Sequence, residues 1–350
     1  MRIGLYGLPG AGKTTILSRI DFAQVFAVSQ LLHEMDPSFS YRSKGEKDAA
    51  RRQLALALRE KDDFLMDGHY AFGDKMVFTE EDGALYDVFL YLYINPDILA
   101  ARMEHSEKNR RYLAHDIAGW QRMELEGLRA YCHRHNKDFY VLDNPPGNTF
   151  DDVTEPVAFI RAIWEGYSCV QFARACVDMI LATDNGTTVI LTDGDRTLTE
   201  EDSSSTVFQY TTHIFDGNFY TGYQTWRQKK DFCAVDIPSE TTLPVHFSGA
   251  VLDRLSRPAY ILTSGHPEIW IQLARQLGFP CFSGSAMSAD AKFFITKFLQ
   301  DEGKKVLAYG DSMNDYYMLR QADQGYLVQR RDGNISCSLN GRDLGGIRFV

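Results

Sequence analysis

Short apolar segments alternate with longer amphipathic segments along the 350-residue chain. The apolar segments are rich in β-branched and aromatic residues, which favour strands, and the longer ones have the periodicity of helices. Strands are predicted at Arg2–Tyr6, 24–28, 63–66, 88–94 and 139–142, and then at 187–191, 259–262, 306–308 and 326–328. Because strands that alternate with helices form right-handed βαβ units, we expect parallel sheets and an α/β fold.

A segment rich in proline and glycine, residues 144–148, ends the first half of this pattern. Two predicted helices, 153–164 and 167–182, separate it from the next predicted strand. We therefore predict two Rossmann-like three-layer α/β/α domains with parallel sheets, at residues 1–165 and 166–350.

Composition and charge are those of a globular protein and exclude several other classes of protein. Hydrophobic residues make up 44% of the chain and charged residues 24%, which excludes a disordered or collagenous protein. The net charge is −10, divided as −6 over residues 1–165 and −4 over residues 166–350, so neither half has the basic excess typical of nucleic-acid binding. The six cysteines are scattered without a CxxC pair. With no signal-peptide pattern and no apolar run longer than 88–94, we expect a cytoplasmic protein that does not bind membranes.

A glycine-rich loop follows the first predicted strand and matches the pattern G-x-x-x-x-G-K-[ST]. A predicted helix, 14–20, follows it, as the pattern requires. Glycines let backbone N–H groups turn toward phosphate oxygens, the lysine adds a positive charge and the threonine offers a hydroxyl to Mg²⁺. The loop predicts an ATP site formed by Gly7, Gly10, Ala11, Gly12, Lys13, Thr14 and Thr15, with Thr14 as a metal ligand.

Two further features are typical of a kinase. Asp67 ends the third predicted strand, where it would organise Mg²⁺ or act as a general base, or else cap a helix or turn. His69 is interpreted either as a site residue or as a hydrogen-bonded structural residue. Arg102, Arg110 and Arg111 lie in one short segment, which is either a lid over the transferred phosphoryl group or a solvated helix face.

Residues 1–143 resemble the small P-loop kinases, the group of the adenylate kinases and polynucleotide 5′-kinases. The resemblance rests on the loop 7–15, on Val28 and Ser29 as the entry to acceptor-binding helices, on Asp67 and on the three arginines. It implies ATP as co-substrate and Mg²⁺ as cofactor. Polynucleotide kinases carry an aspartate base at the end of the second strand, where this chain has Ala27-Val28-Ser29.

A pair of aspartates, Asp193 and Asp195, follows an apolar strand in the second half of the chain. Side chains two residues apart on an extended backbone point to the same side, so one carboxylate can attack phosphorus while the other handles the leaving-group proton. Ser264 ends a second strand, Lys292 is predicted to start an amphipathic helix, and an acidic cluster with Asp311 and Asp315 ends a third strand.

In order and spacing, these four motifs resemble the haloacid-dehalogenase-like phosphatases, in particular phosphoserine phosphatase, over residues 185–335. The resemblance implies that Asp193 is the nucleophile and Asp195 the general acid, and that Ser264 and Lys292, rather than Lys297, hold the phosphoryl oxygens. It further implies that Mg²⁺ is bound by Asp193, the backbone carbonyl of Asp195 and Asp311, with Asp315 fixing the water shell.

The resemblance also places a cap at about residues 199–247. This segment is rich in aromatic residues, which stack on a substrate ring or fill the core of the cap; they are Phe208, Tyr210, Phe215, Phe219, Tyr220, Tyr223 and Trp226. Arg196 stands where most relatives have a small residue. It either binds a substrate anion or pairs at the surface.

A kinase and a phosphatase on one chain leave three hypotheses. The first is a bifunctional enzyme that acts on a small metabolite or nucleotide at two positions. The second is a polynucleotide 5′-kinase/3′-phosphatase, since the order of the domains resembles that of the phage-type enzyme. The acidic net charge and the sparse basic doublets, Lys229-Lys230 and Arg330-Arg331, favour the first. The third, a nucleotide-gated sensor without catalysis, is disfavoured because both catalytic sets are present. The sequence makes no prediction of the oligomeric state.

Overall fold

The computed structural model describes residues 1–145, 147–208, 214–215, 219–233, 243–256 and 258–350. The contacts within the chain divide it into two compact units, Met1–Tyr167 and Ser168–Val350. Within the described ranges, no helix combines the length and the apolar character that a membrane span requires.

The first unit is built on a parallel sheet. Its described strands are β1 (Arg2–Tyr6), β2 (Gln24–Phe26), β3 (Phe64–Asp67), β4 (Ala71–Phe72), β5 (Lys75–Met76), β6 (Val88–Leu92) and β7 (Asp138–Leu142). Its described helices are α1 (Lys13–Leu17), α2 (Val28–Met35), α3 (Lys44–Leu58), α4 (Glu80–Leu85), α5 (Pro96–Glu104), α6 (Ile117–His135) and α7 (Thr154–Trp164), with 3₁₀ turns at Phe39–Tyr41 and Arg110–Ala114. The sheet has the order β2-β3-β1-β6-β7, and β4 and β5 form a separate antiparallel hairpin.

The order of this sheet puts β1 between two pairs of strands. Strands β2 and β3 lie on one side of β1, and β6 and β7 lie on the other. The connections therefore diverge after β1 and leave a crevice beyond its carboxyl end, where open α/β sheets bind ligands. The interior strands are buried on both faces, as the adjacent residues Phe89 and Leu90 of β6 illustrate at 0% exposure, so the crevice is supported by a packed core.

The second unit repeats this architecture. Its described strands are β8 (Thr188–Thr192), β9 (Tyr260–Thr263), β10 (Cys281–Ser283), β11 (Lys305–Gly310), β12 (Gln324–Leu327) and β13 (Ile347–Phe349). Its described helices are α8 (Cys169–Thr183), α9 (Ser203–Phe208), α10 (Gly222–Phe232), α11 (Gly249–Leu252), α12 (Pro267–Leu277), α13 (Ala289–Asp301) and α14 (Tyr316–Gln321), with a 3₁₀ turn at Cys337–Leu339. The parallel sheet has the order β10-β9-β8-β11-β12-β13, so its connections diverge after β8.

Alternation along β8 shows how this sheet supports helices on both faces. Val189 and Leu191 belong to an apolar core shared with α8 and α13, whereas Ile190 belongs to a second core shared with α12. Successive side chains of a strand point to opposite faces, so one strand contributes to both layers. The fold class predicted from the sequence, two α/β units with parallel sheets, is confirmed.

Some predicted elements differ from the structure. The helix after the phosphate loop is shorter than predicted and ends at Leu17, and α13 begins at Ala289, so the prediction that Lys292 starts this helix is wrong. Ser288 caps α13 because its hydroxyl accepts a hydrogen bond from Ala291 N, and Lys292 therefore lies in the first turn. Four short strands, β4, β5, β10 and β13, were not predicted. Strands of two or three residues rarely show a visible alternation of apolar and polar positions.

Candidate functional sites

The phosphate loop of the first unit connects β1 to α1. Gly10 and Gly12 have φ values of 83° and 106°, a region that side chains with a Cβ rarely adopt. These conformations turn the loop around the ammonium group of Lys13, whose Nζ donates hydrogen bonds to Gly7 O at 2.5 Å and Leu8 O at 3.3 Å. Burial lowers the pKa of Lys13 to about 8, an effect opposed by the carboxylates of Asp67 and Glu124. Thr14 and Thr15 are exposed beside it.

Asp67 lies at the carboxyl end of β3, next to β1. Its Oδ1 accepts a hydrogen bond of 2.8 Å from Val28 N, the first residue of α2. Asp67 thus accepts a hydrogen bond at the start of α2, and its charge raises the pKa of Lys13.

His69 follows Asp67 and lies with its ring 4.6 Å from that of Phe72. Burial and the positive charges of Lys13, Lys108 and Arg51 lower the pKa of His69 well below its usual value. Among the described residues, its Nδ1 has no hydrogen-bond partner. The charges that act on His69 are thus all positive.

The three predicted lid arginines lie in different environments. Arg102 reaches the phosphate loop, with Nη1 3.4 Å from Ala11 O and Nη2 3.1 Å from Thr149 Oγ1. Arg110 instead bonds to Glu104 O at the end of α5, and Arg111 bonds to the Tyr112 hydroxyl.

Lys108 lies between Arg102 and Arg110 and was not predicted as a site residue. This exposed cation lowers the pKa of both Lys13 and His69, so its charge acts on the phosphate loop. Its position inside the basic segment was the signal that could have identified it.

Glu124 was also missed by the sequence analysis. This carboxylate is 0% exposed, and its Oε1 accepts hydrogen bonds from Ala71 N at 3.0 Å and Trp120 Nε1 at 3.1 Å. Its Oε2 has no hydrogen-bond partner in the described chain. Burial raises the pKa of Glu124 to about 7, against the opposing effect of Lys13. A glutamate in an amphipathic helix gives no sequence signal that it faces inward.

In the second unit, three neighbouring strands bring the predicted residues together. Strands β9, β8 and β11 are adjacent and parallel, so Ser264, Asp193 and Asp311, which follow them, meet at one edge of the sheet. Helix α13 places Lys292 beneath this edge. Lys292 Nζ donates to Asp193 Oδ1 at 2.5 Å and to Asp315 Oδ1 at 2.7 Å.

The cluster of side chains around Lys292 has more carboxylates than cations. Asp193, Asp311 and Asp315 are buried, and each offers an oxygen within 4.8 Å of the others, whereas Lys292 is the cation hydrogen-bonded among them. Burial and then Asp315 raise the pKa of Asp193 to about 7, and the same two causes raise the pKa of Asp311 well above its usual value. Burial alone would lower the pKa of Lys292, but the two carboxylates outweigh it and raise this pKa.

The donor set fits a divalent cation. Carboxylate oxygens are the ligands that Mg²⁺ prefers, and a 2+ charge would offset the excess of negative charge that raises these pKa values. Asp315 Oδ2 is already bonded to the backbone amides of Asp311 and Ser312, which fixes the turn that carries Asp311.

Asp195 and Ser264 flank the cluster. Asp195 Oδ1 accepts from Ser203 N at 2.7 Å, and its Oδ2 accepts from Trp270 Nε1 at 3.1 Å. Burial and the charge of Asp202 raise the pKa of Asp195 to about 6. Ser264 Oγ donates to Met287 O at 2.5 Å and accepts from Asn314 Nδ2 at 3.0 Å. Lys297, the alternative to Lys292, pairs with Asp301 on the solvent side of α13.

The cap segment leaves and rejoins the core at one point, because Thr199 and Phe247 form an antiparallel bridge. Of its aromatic residues, Tyr223 is fully buried and the other described ones are half-buried, while Tyr210 lies outside the described residues. Phe215 and Tyr220 stack with ring centroids 4.8 Å apart. Burial is the main cause that raises the pKa of Tyr220 to about 12, and the charges of Asp311 and Asp315 add to it. The Tyr220 ring therefore lies near these carboxylates.

Arg196 is exposed and has a φ of 57°, and its positive charge lowers the pKa of Asp311. The basic doublet at 330–331 is partly neutralised, because Arg331 pairs with Glu200.

The family described as an AAA domain matches residues 3–118. This range lies within the first unit and includes the phosphate loop, Asp67 and the segment 102–111. It covers about a third of the chain. No curated protein matches the sequence significantly.

Solved structures of two kinds resemble parts of the chain. Shikimate kinase from Bacteroides thetaiotaomicron is 17% identical with a TM-score of 0.34, over 47% of this chain and 98% of that one. A HAD family hydrolase from Salmonella enterica serovar Typhi is 16% identical with a TM-score of 0.33, over 46% of this chain and 72% of that one. A substrate-bound phosphoserine phosphatase is 13% identical with a TM-score of 0.30, over 43% of this chain and 90% of that one. Each similarity covers less than half of this chain.

Proposed function

We propose that this chain is a bifunctional kinase–phosphatase acting on a nucleotide-like or small metabolite substrate. The observation that carries the proposal is that each of the two compact units has its own cluster of charged and hydroxyl side chains, located where the connections of its parallel sheet diverge. The first unit transfers a phosphoryl group from ATP to a hydroxyl or phosphate oxygen, and the second hydrolyses a phosphomonoester.

In the kinase reaction, the acceptor oxygen forms a bond to the γ-phosphorus of ATP, and the bond from that phosphorus to the β–γ bridging oxygen breaks. Lys13 offsets the negative charge on the phosphates. Arg102 reaches the same loop and adds a second positive charge there. Asp67 accepts the proton of the acceptor hydroxyl, since its carboxylate lies beside Lys13 at the entry to α2.

In the phosphatase reaction, a carboxylate oxygen of Asp193 attacks phosphorus and forms an aspartyl-phosphate, while the ester bond breaks and Asp195 gives its proton to the leaving oxygen. Water then attacks the same phosphorus, its proton passes to Asp195, and inorganic phosphate leaves with Asp193 regenerated. Ser264 and Lys292 hold the phosphoryl oxygens, because both side chains reach the edge where Asp193 lies.

Mg²⁺ would be held by Asp193, the backbone carbonyl of Asp195 and Asp311 in the second unit, with Asp315 ordering its surroundings, and by Thr14 in the first. The bound ion would supply positive charge that lets two anions approach each other.

A small substrate is favoured over a polynucleotide by the distribution of charge. Both units are acidic, and a cation of each basic doublet has an intramolecular contact: Arg331 with Glu200, and Lys230 with the Trp226 ring at 4.9 Å. Polynucleotide binding draws most of its affinity from many unpaired cations along a groove.

Two substitutions separate the proposed activities. Lys13→Ala should lower phosphoryl transfer from ATP by about 100-fold or more and leave hydrolysis of p-nitrophenyl phosphate unchanged. Asp193→Asn should abolish that hydrolysis and leave the transfer unchanged. Survival of both activities in either variant would refute the assignment, and absence of both from the wild-type chain would favour the sensor hypothesis.

Labelled ATP offered with nucleosides, nucleotides, small hydroxylated metabolites and 5′-hydroxyl oligonucleotides identifies the class of acceptor. We expect labelling of a small acceptor that changes little between low and moderate salt. Strong oligonucleotide labelling that falls steeply with salt would replace the small-molecule proposal by the polynucleotide one.

A further inference from the structure

The indole of Trp270 is completely buried between two segments of the proposed phosphatase site. Trp270 lies in the first turn of α12, which follows Ser264, and its exposure is 0%. A buried indole N–H needs an acceptor, and here the acceptor is Asp195 Oδ2, 3.1 Å from Nε1. A side chain from the Ser264 segment is thus bonded directly to the second aspartate.

Two glycines leave the space that the indole occupies. A Cβ on Gly194 would lie 2.4 Å from Trp270 Cζ2. A Cβ on Gly265 would lie 2.5 Å from both Trp270 Nε1 and Asp195 Oδ2. Since real Cβ atoms do not approach this closely, the indole and the carboxylate are in contact only because both positions lack a side chain.

The second oxygen of Asp195 is also held. Its Oδ1 accepts a 2.7 Å hydrogen bond from Ser203 N, the first residue of α9. The two donors approach opposite oxygens and come from different segments, so together they fix the rotation of the carboxyl group. If Ser203 N were its one donor, the carboxyl group of Asp195 could still turn about that single hydrogen bond.

We propose that Trp270 is a positioning residue that fixes Asp195 for proton transfer. The inference rests on the proposed phosphatase function, because the role of Asp195 as general acid belongs to that function. Trp270 transfers no proton and is expected to act only through the orientation of Asp195.

The consequence depends on the leaving group. An alkoxide needs a proton as the ester bond breaks, whereas p-nitrophenolate leaves readily without one. A loosely held Asp195 therefore impairs hydrolysis of alkyl phosphates much more than hydrolysis of aryl phosphates. A purely structural role for Trp270 would impair both equally.

The test compares Trp270→Phe with the wild-type full chain on p-nitrophenyl phosphate and on an alkyl phosphate such as butyl phosphate. Phenylalanine keeps one aromatic ring in the core and removes the indole N–H together with the second ring, so some loss of packing accompanies the loss of the hydrogen bond. We expect kcat/KM to fall about 10- to 100-fold with the alkyl phosphate and by less than about threefold with the aryl phosphate. Trp164→Phe, in α7 of the first unit, is the matched control and should change neither value.

A double-mutant cycle distinguishes positioning from general damage. In an Asp195→Ala background, Trp270→Phe should change either activity by less than about twofold, because no carboxyl group remains to be positioned. Equal losses on the two substrates, or a further loss in the Asp195→Ala background, would overturn the proposal.

The contact has a readout that is independent of activity. The chain has four tryptophans, so ¹⁵N-labelled protein gives four indole N–H signals, and the Trp270 signal is the one missing from Trp270→Phe. Asp195→Ala should shift this signal and speed its exchange with solvent; if it does not, the proposal is wrong. If the wild-type chain hydrolyses neither substrate while the signal still depends on Asp195, the contact is supported and the proposed phosphatase activity is overturned.

Discussion

Lys292 and Asp193 form an ion pair inside the second unit, with Nζ 2.5 Å from Oδ1 and side-chain exposures of 0% and 8%. Lys292 also bonds to Asp315, which is 0% exposed, so one ammonium joins two carboxylates. Removing one partner of a buried pair leaves the other charge unpaired in a medium of low polarity. The group that binds phosphate in the proposed function is thus also part of the core.

Lys292→Met should therefore destabilise the protein strongly. We expect a loss of about 3–5 kcal/mol in the free energy of unfolding of the second unit, measured by urea denaturation of the full chain. Lys297→Met on the same helix is the control, since Lys297 forms an exposed i,i+4 pair with Asp301. That control should lose less than about 1 kcal/mol, and equal losses in the two variants would contradict the prediction.

Mg²⁺ should stabilise the second unit in a manner that depends on pH. The pKa of Asp193 is raised to about 7, so protons compete with the cation below that pH. We expect the rise in melting temperature caused by Mg²⁺, without nucleotide, to be larger at pH 8 than at pH 5.5. Asp311→Asn should remove most of this rise, whereas Asp301→Asn should keep it. A rise that survives in Asp311→Asn would place the cation elsewhere.

Glu124 should destabilise the first unit at high pH. Its pKa is raised to about 7, so its contribution to stability is present below its unfolded pKa, near 4.5, and is lost as the pH rises through 7. Glu124→Gln stays neutral and keeps an oxygen for Ala71 N and Trp120 Nε1. From pH 5 to pH 8 the variant should therefore gain about 2.5 kcal/mol relative to the wild type, measured by denaturation at each pH.

The control for this experiment is Glu107→Gln, at an exposed position. Its stability relative to the wild type should not change with pH. A pH-independent difference for Glu124→Gln would show that Glu124 is ionised throughout this range.

Gly194→Ala should disrupt the second site by crowding. The added Cβ would collide with the Trp270 ring, and overpacking of this kind costs about 1–3 kcal/mol. We expect lower thermal stability and weaker phosphatase activity, with kinase activity retained. Gly249→Ala, where nothing lies within 4 Å of the new Cβ, should behave as the wild type. A wild-type melting temperature for Gly194→Ala would show that the Trp270 contact is not rigid.

Local sequence patterns predicted the architecture well. Strand β1 has the predicted bounds, and the remaining predicted strands lie within a few residues of observed ones. Interior parallel strands are buried on both faces, so they give continuous apolar runs that are visible in one sequence. The start of α13 was placed three residues late, because Lys292 was taken as the helix start whereas Ser288 is the cap.

The segment 102–111 shows the limit of pattern recognition. One interpretation had the three arginines form a lid together. Arg102 bonds to the phosphate loop, whereas Arg110 and Arg111 bond within their own segment. The direction of a long side chain depends on which carbonyl or ring lies within reach, and this depends on tertiary contacts.

The sequence by itself determined the α/β class, the phosphate loop and the four motifs of the second unit, because each rests on a short pattern with a fixed local geometry. Only the tertiary structure decided which charges meet. Lys292 lies 99 residues from Asp193 in the chain, and Trp270 lies 75 residues from Asp195. Such pairs are set by the order of strands in a sheet and by the packing of helices on it, and the burial of Glu124 has the same origin. That packing decides which carboxylate a side chain bonds to and in which direction its pKa is shifted. Both therefore become known only with the fold.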